Sequence, residues 1–143
     1  MSSNASGPQV PSDMNAFNAK LIAEFRANHG HLTGQMAGRQ VLLLTTTGAR
    51  SFMPRTVVIG YRPYGDKLAV IASANGAEKN PAWFHNLRAN PVATVEVGPE
   101  QYQVKAMVAA PEERPELAKV VEYLERQQAL TRREIPIVVL ERL

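Results

Sequence analysis

The segment Val41-Leu-Leu-Leu-Thr-Thr-Thr-Gly-Ala-Arg-Ser-Phe-Met-Pro-Arg-Thr-Val-Val-Ile-Gly-Tyr61 holds two aliphatic, β-branched runs, Val41 to Thr46 and Thr56 to Tyr61. The turn between them, Gly48 to Pro54, is too short for a parallel crossover, so the two runs form an antiparallel hairpin. Toward the C-terminus, Leu68 to Ser73 follows a second tight turn, Pro63-Tyr-Gly-Asp66. Val92 to Val97 and Tyr102 to Val108 alternate as paired strands around Gly98-Pro99, and Ile135 to Glu141 makes a sixth strand, with Pro136 near its start or on an edge. Helices frame these strands. Met14, Phe17, Leu21, Ile22 and Phe25 recur at helical spacing, with Ser12 or Asp13 to cap the start and Gly30 to end it. Asn80 caps a short helix, Ala82 to Ala89, with Pro81 in its first turn. Pro111 and Pro115 introduce a last helix, Glu116 to Leu130, whose Leu117, Val120, Val121 and Leu124 face a core. The expected fold is α+β: a six-stranded, mainly antiparallel sheet curled into a barrel, with flanking helices. Residues 1–13, with Gly7, Pro8 and Pro11, are expected to be a flexible arm and 14–143 a single domain.

Length and composition agree with one globular unit: 143 residues, 45% hydrophobic and 20% charged. With no cysteine, disulfides, thiol nucleophiles and cysteine-ligated metals are excluded. The longest aliphatic run, Ile135 to Leu140, is interrupted by Pro136 and far too short for a membrane span. The opening MSSNASGPQVPSD lacks the basic and apolar parts of a secretory signal, so a cytoplasmic location with at most peripheral membrane contact is expected. A net charge of +3 does not argue for nucleic acid, and the chain has neither interleaved aromatics nor a recognised nucleic-acid module. The distribution of charge is more telling. From Phe25 through Gly65 there is no acid, yet Arg26, Arg39, Arg50, Arg55 and Arg62 all fall there. Such a tract suits an anionic partner, or else a surface balanced by acids elsewhere.

No phosphate-binding, dinucleotide, nucleophile-elbow or HExxH motif occurs. His29 and His31 lie in a glycine-punctuated loop (Gly30, Gly34, Gly38), where exposure is expected and no metal site is. His85, between Trp83 and Leu87, is expected in a hydrogen-bonded structural role. Two segments carry binding chemistry. Thr45 to Thr56 combines hydroxyls, glycine-flanked amides and the guanidinium groups of Arg50 and Arg55, the parts that hold phosphate or carboxylate, although an ordinary polar hairpin uses the same residues. Ser73-Ala-Asn-Gly-Ala-Glu-Lys-Asn-Pro-Ala-Trp83 ends a strand in small residues and then presents Lys79 and a helix start. Trp83, the only tryptophan, reads as an aromatic wall or as core.

Leu42-Leu-Leu-Thr-Thr-Thr-Gly-Ala-Arg-Ser51 with Pro54-Arg55, Ser73 with Asn75-Gly-Ala-Glu-Lys-Asn-Pro-Ala-Trp-Phe-His-Asn-Leu-Arg-Ala-Asn-Pro91, and Ile135-Pro-Ile-Val-Val139 together resemble the deazaflavin-dependent nitroreductase family. The resemblance implies a small oxidoreductase with the FMN-binding split-barrel-like fold, using coenzyme F-420, an 8-hydroxy-5-deazaflavin. By that resemblance Ala49, Arg50, Ser51 and Arg55 match the stretch holding the cofactor's phosphate and anionic tail. Thr56, Val57, Val58, Ile59 and Gly60, with Ile71, Ala72, Ser73 and Ala74, match strands along its ring system. Lys79, Ala82, Trp83, Phe84, His85 and Asn86 match the loop and helix completing the pocket. Ser73, Trp83 and Tyr123 are expected to border a small-molecule hydride acceptor: an enone, a quinone or a nitro compound. Relatives that reduce bulky nitroimidazoles carry tyrosines where this chain has Val121, Leu124 and Gln127 on the last helix and Gly60 on the second strand, which favours the enone or quinone. The alternatives are an FMN-dependent reductase on the same barrel and a non-catalytic binder of deazaflavin or a lipid-like ligand.

Overall fold

The structure, a computed structural model, describes residues 11–143, with side chains from Asn18 onward except Asn75. The expected arm falls outside the described residues through residue 10; helix α1, Pro11–Ala27, starts three residues before Met14 and places Ser12 and Asp13 inside its first turn. Strands β1 (Val41–Thr47) and β2 (Pro54–Gly60) form the expected hairpin, with Leu44 opposite Val57. β3 (Arg62–Tyr64) and β4 (Lys67–Ile71) follow, then helix α2 (Ala82–Ala89), β5 (Val92–Val97) and β6 (Glu100–Val108). Helices α3 (Arg114–Val120) and α4 (Leu124–Gln128) precede β7 (Ile137–Arg142). The strands lie in the order β2-β1-β5-β6-β7-β4-β3, and every neighbouring pair is antiparallel.

The described residues form seven strands rather than six. Pro63, taken in the sequence as part of a turn, sits in β3 at the edge of the sheet, where a missing N–H costs no ladder bond; the turn narrows to Gly65-Asp66. Pro136 is displaced the other way. It precedes β7, which is a central strand between β6 and β4, and its carbonyl accepts from Ala72 N at 3.0 Å. The last helix is two helices: Val121, at ψ 81°, leaves the α-helical region and breaks the run.

β1, β4 and β7 are buried on both faces, which is why they read as aliphatic runs, whereas β6 leaves one face to solvent. Leu42 and Leu44 point into the barrel with Val70, Val95, Val104, Val138 and Leu140. Leu43, one residue out of phase, meets Phe25 and Leu32 beneath α1. Ile71, Ile137 and Val139 pack outward under Leu117, Val121 and Leu124. No described helix is long and apolar enough to cross a membrane.

α1 ends as the sequence predicts: Gly30 takes φ +94° and donates to Phe25 O at 2.8 Å. Gly30 also abuts the β5–β6 turn, where an added Cβ would come 2.6 Å from Gly98 Cα. Gly34, at φ +64°, has nothing within 4 Å of the same position. Gly30→Ala therefore carries both backbone strain and a clash, and Gly34→Ala strain alone, costing about 1 kcal/mol. In urea denaturation Gly30→Ala is expected to destabilise clearly more than Gly34→Ala; equal losses would dismiss the close approach.

Candidate functional site

A cavity of about 870 Å³ opens where the two edge strands of the sheet come round to each other. β2 contributes Val58, Ile59 and Gly60, and β3 contributes Arg62. The end of β4 and the following turn add Ile71, Ser73 and Ala74. Met36 and Arg39 reach it from the segment leading into β1, and Val41 from the start of β1 itself; Trp83 comes from α2, and Tyr123, Arg126 and Gln127 from the α4 region. Trp83 is both wall and core, since it is 7% exposed and packs with Leu42 and Val70.

The helix break at Val121 decides which side chains enter. Val121 and Leu124, which the sequence reading set where relatives have pocket tyrosines, are packed under the sheet instead. Tyr123 and Gln127, four residues apart and joined by Gln127 N to Tyr123 O at 3.1 Å, line the cavity. The Tyr123 hydroxyl and Gln127 Oε1 are buried and have no hydrogen-bond partner among the described residues. Burial pushes the phenol above its ordinary value, against the pull of nearby Arg62 and with a smaller push from Glu122. The Arg62 guanidinium lies 4.8 Å from the Tyr123 ring centroid and is hydrogen-bonded to Glu122, with Nη2 at 2.6 Å. Gly60 leaves room for this phenol, because a Cβ there would come 3.3 Å from its oxygen.

The β1–β2 turn is built rather than loose. Gly48 N donates to Met53 O, Phe52 N to Gly48 O, and Met53 N to the Ser51 hydroxyl; a Cβ on Gly48 would strike that hydroxyl. Buried Asn86 anchors the turn to α2, donating to Thr46 Oγ1 at 3.0 Å and accepting from Ala49 N at 2.9 Å. Asn86 is three residues from Trp83, so the base of the turn lies about one helical turn from the cavity wall. Arg50 and Arg55 are exposed there, and neither has an ion pair or side-chain hydrogen bond among the described residues. Thr56 shares a 2.7 Å hydrogen bond with Thr45, and Val57 packs on the barrel core.

Of the residues expected to bind the cofactor, Val58, Ile59, Gly60, Ile71, Ser73, Ala74 and Trp83 line one cavity, together with Tyr123. Ala72 and Phe84 are core residues; Ala82 and Lys79 are exposed. His85 is exposed and its side chain makes no hydrogen bond among the described residues, so its expected hydrogen-bonded role is not met; the ring only edges that of Phe84. His29 and His31 are exposed as expected, and no group of three metal-binding side chains exists among the described residues.

The organiser of the Ser73–Asn80 segment is a residue the sequence reading passed over. Arg133 donates to Ala72 O and Ser73 O at 2.9 Å, Ala77 O at 2.8 Å and Asn80 Oδ1 at 2.7 Å. Asn80 thus answers Arg133 instead of capping α2, whose N-cap is Pro81. Only its place nine residues after Leu124, the end of the expected apolar stripe, could have flagged it, and an arginine there usually reads as surface. A lysine cannot meet four acceptors spread over a planar fork. Arg133→Lys is expected to destabilise by about 2 kcal/mol and to hasten tryptic cleavage after exposed Lys79; unchanged cleavage and stability would rule out the tether.

A sequence model described as F420H(2)-dependent quinone reductase matches residues 19–142. A F420H(2)-dependent quinone reductase of Mycobacterium tuberculosis is 35% identical over 129 residues, covering 84% of this chain and 86% of the relative. Among solved structures, an F420-H2 dependent reductase superposes with a TM-score of 0.63 at 31% identity, covering 72% of this chain and 95% of its own. Another, described as a domain-swapped dimer, reaches 0.65 at 28% identity, covering 92% of this chain and all of its own. The chain belongs to the F420H(2)-dependent quinone reductase family, on a split-barrel-like fold, and is an oxidoreductase whose cofactor is coenzyme F-420.

Proposed function

We propose that the chain passes the hydride of reduced coenzyme F-420 to a quinone held in the seam cavity, with Ser73, Trp83 and Tyr123 bordering the acceptor. The observation that carries this reading is the pair of buried, partnerless polar atoms on Tyr123 and Gln127, set among the apolar Val58, Ile59, Ile71 and Trp83. Each such atom left unmade costs about 1–3 kcal/mol, which a ligand oxygen in the right place recovers. A quinone offers a flat apolar ring for Trp83 and carbonyl oxygens for the donors. The Tyr123 phenol, whose proton burial holds more firmly, donates to the oxygen on which charge develops, and the Ser73 hydroxyl or a backbone amide is the second donor. The Gln127 carbonyl accepts from the hydroxyl of the reduced product. The names of the family and its relatives favour the same acceptor.

The residues present fit the cofactor. The cavity lies within the usual range of small-molecule sites, about 300–1,000 Å³. Val58 to Gly60 and Ile71 to Ala74 offer it apolar and small side chains. The free guanidinium groups of Arg50 and Arg55, the Ser51 region and Lys79 suit a phosphate and carboxylate tail. When bound, coenzyme F-420 supplies the hydride. The chain's own part is to orient both partners, exclude water through Trp83 and Ile71, and set donors at the acceptor oxygen.

An enone is the second acceptor class, since one carbonyl oxygen already satisfies Tyr123. Bicyclic nitroimidazoles are expected to turn over weakly, because Gly60 and Gln127 supply no aromatic ring. Replacing Arg50 or Arg55 by Ala is expected to weaken coenzyme F-420 binding about tenfold, less at high salt; unchanged affinity in titrations of both variants removes the tail assignment. With matched concentrations of a naphthoquinone, cyclohexenone and a bicyclic nitroimidazole, oxidation of the reduced cofactor should be slowest with the nitroimidazole. Tyr123→Phe should lower quinone turnover about tenfold while coenzyme affinity holds. A nitroimidazole faster than the other two, or a Tyr123→Phe enzyme of full activity, would overturn this reading.

A further inference from the structure

The seam cavity carries more positive charge than a neutral quinone calls for. Three arginines line it, Arg39, Arg62 and Arg126, and among the described residues no carboxylate does. Arg62 is answered by Glu122 at 2.6 Å. Arg39 and Arg126 take part in no ion pair or side-chain hydrogen bond among the described residues. They come from separate elements, one from the segment before β1 and the other from α4, yet face the same space as Trp83, Tyr123 and Gln127. The anionic tail of the cofactor is already assigned to Arg50 and Arg55 on the β1–β2 turn, so these two cations are left over.

We propose that Arg39 and Arg126 select an acceptor bearing an anionic group, a quinone substituted with a carboxylate or sulfonate. The inference rests on the quinone reading above and names its substrate class. Both side chains are exposed at the cavity, and Arg126 also acts on Glu122, so the preference they give an anion over its neutral analogue is modest and sensitive to salt. The anionic group itself is unchanged in the reaction: the quinone gains one hydride and one proton and leaves as the hydroquinone with its charge intact.

Trp83 is the only tryptophan and lines this cavity, which provides a binding signal independent of turnover. The test titrates the chain, with and without oxidised coenzyme F-420, with 1,2-naphthoquinone-4-sulfonate and with 1,2-naphthoquinone, following tryptophan quenching. The sulfonate is expected to bind about fivefold to tenfold more tightly at low salt, with the preference shrinking at high salt. In the double variant Arg39→Gln/Arg126→Gln, checked for folding by circular dichroism, the ratio of the two affinities should fall to about one while coenzyme F-420 binds as before. Equal affinities in the parent chain, a preference that survives in the double variant, or a double variant with weakened coenzyme binding would each overturn the proposal. The last outcome would assign the two arginines to the cofactor's tail. If neither quinone is reduced but the arginine-dependent preference is present, the anion site stands and the quinone reductase reading fails.

Discussion

Tyr61 alone joins Gly60, the last residue of β2, to Arg62, the first of β3, yet these two strands are the opposite edges of a seven-stranded sheet. Laid flat, the sheet would hold its edges about 29 Å apart, while a single connecting residue reaches about 7 Å. The sheet must curl until its edges meet, and the barrel is the only shape left to it. Closure is incomplete, because β2 and β3 share no ladder. Their open seam is where the cavity lies, with β2 on one side and β3, β4 and the α4 region on the other. Fold and site therefore follow from the same short connection.

Charge is distributed around that seam with some economy. Of the five arginines in the acid-free tract, two are answered by acids that the fold carries in from elsewhere: Arg26 by Glu96 at 2.8 Å and Arg62 by Glu122. Such partly exposed pairs contribute little stability, about 0–1 kcal/mol, and serve mainly to orient α1 against β5 and Arg62 beside Tyr123. Arg39, Arg50 and Arg55 have no ion pair or side-chain hydrogen bond among the described residues.

What could be read in advance was whatever local chemistry controls. The β1–β2 hairpin, the Gly98-Pro99 turn, the Ala82–Ala89 helix and the glycine stop of α1 all follow from contiguous residues, and the structure has them. The misses share a cause: tertiary contacts overruled local signals. Pro63 is a turn residue unless its strand lies at an edge. The apolar stripe through Val121 and Leu124 continued smoothly in sequence, so nothing local marked the break that turns Tyr123 and Gln127 into the cavity. Asn80 resembles a cap until Arg133, 53 residues on, takes its side chain. Arg39 and Arg126 sit on polar, exposed segments, and only the curl of the sheet brings them to one space.

Arg133 also bears on how the protein is made. The segment it fastens, Ala72 to Asn80, leaves the ribosome long before Arg133 does, and β4, which leads into that segment, pairs with β7, the last strand of the chain. The β1–β2 hairpin can form as soon as it emerges, since its partners are adjacent. The opposite bank of the cavity has to wait until Arg133 and β7 have been made. A nascent or truncated chain that lacks them thus presents the cationic turn without the pocket.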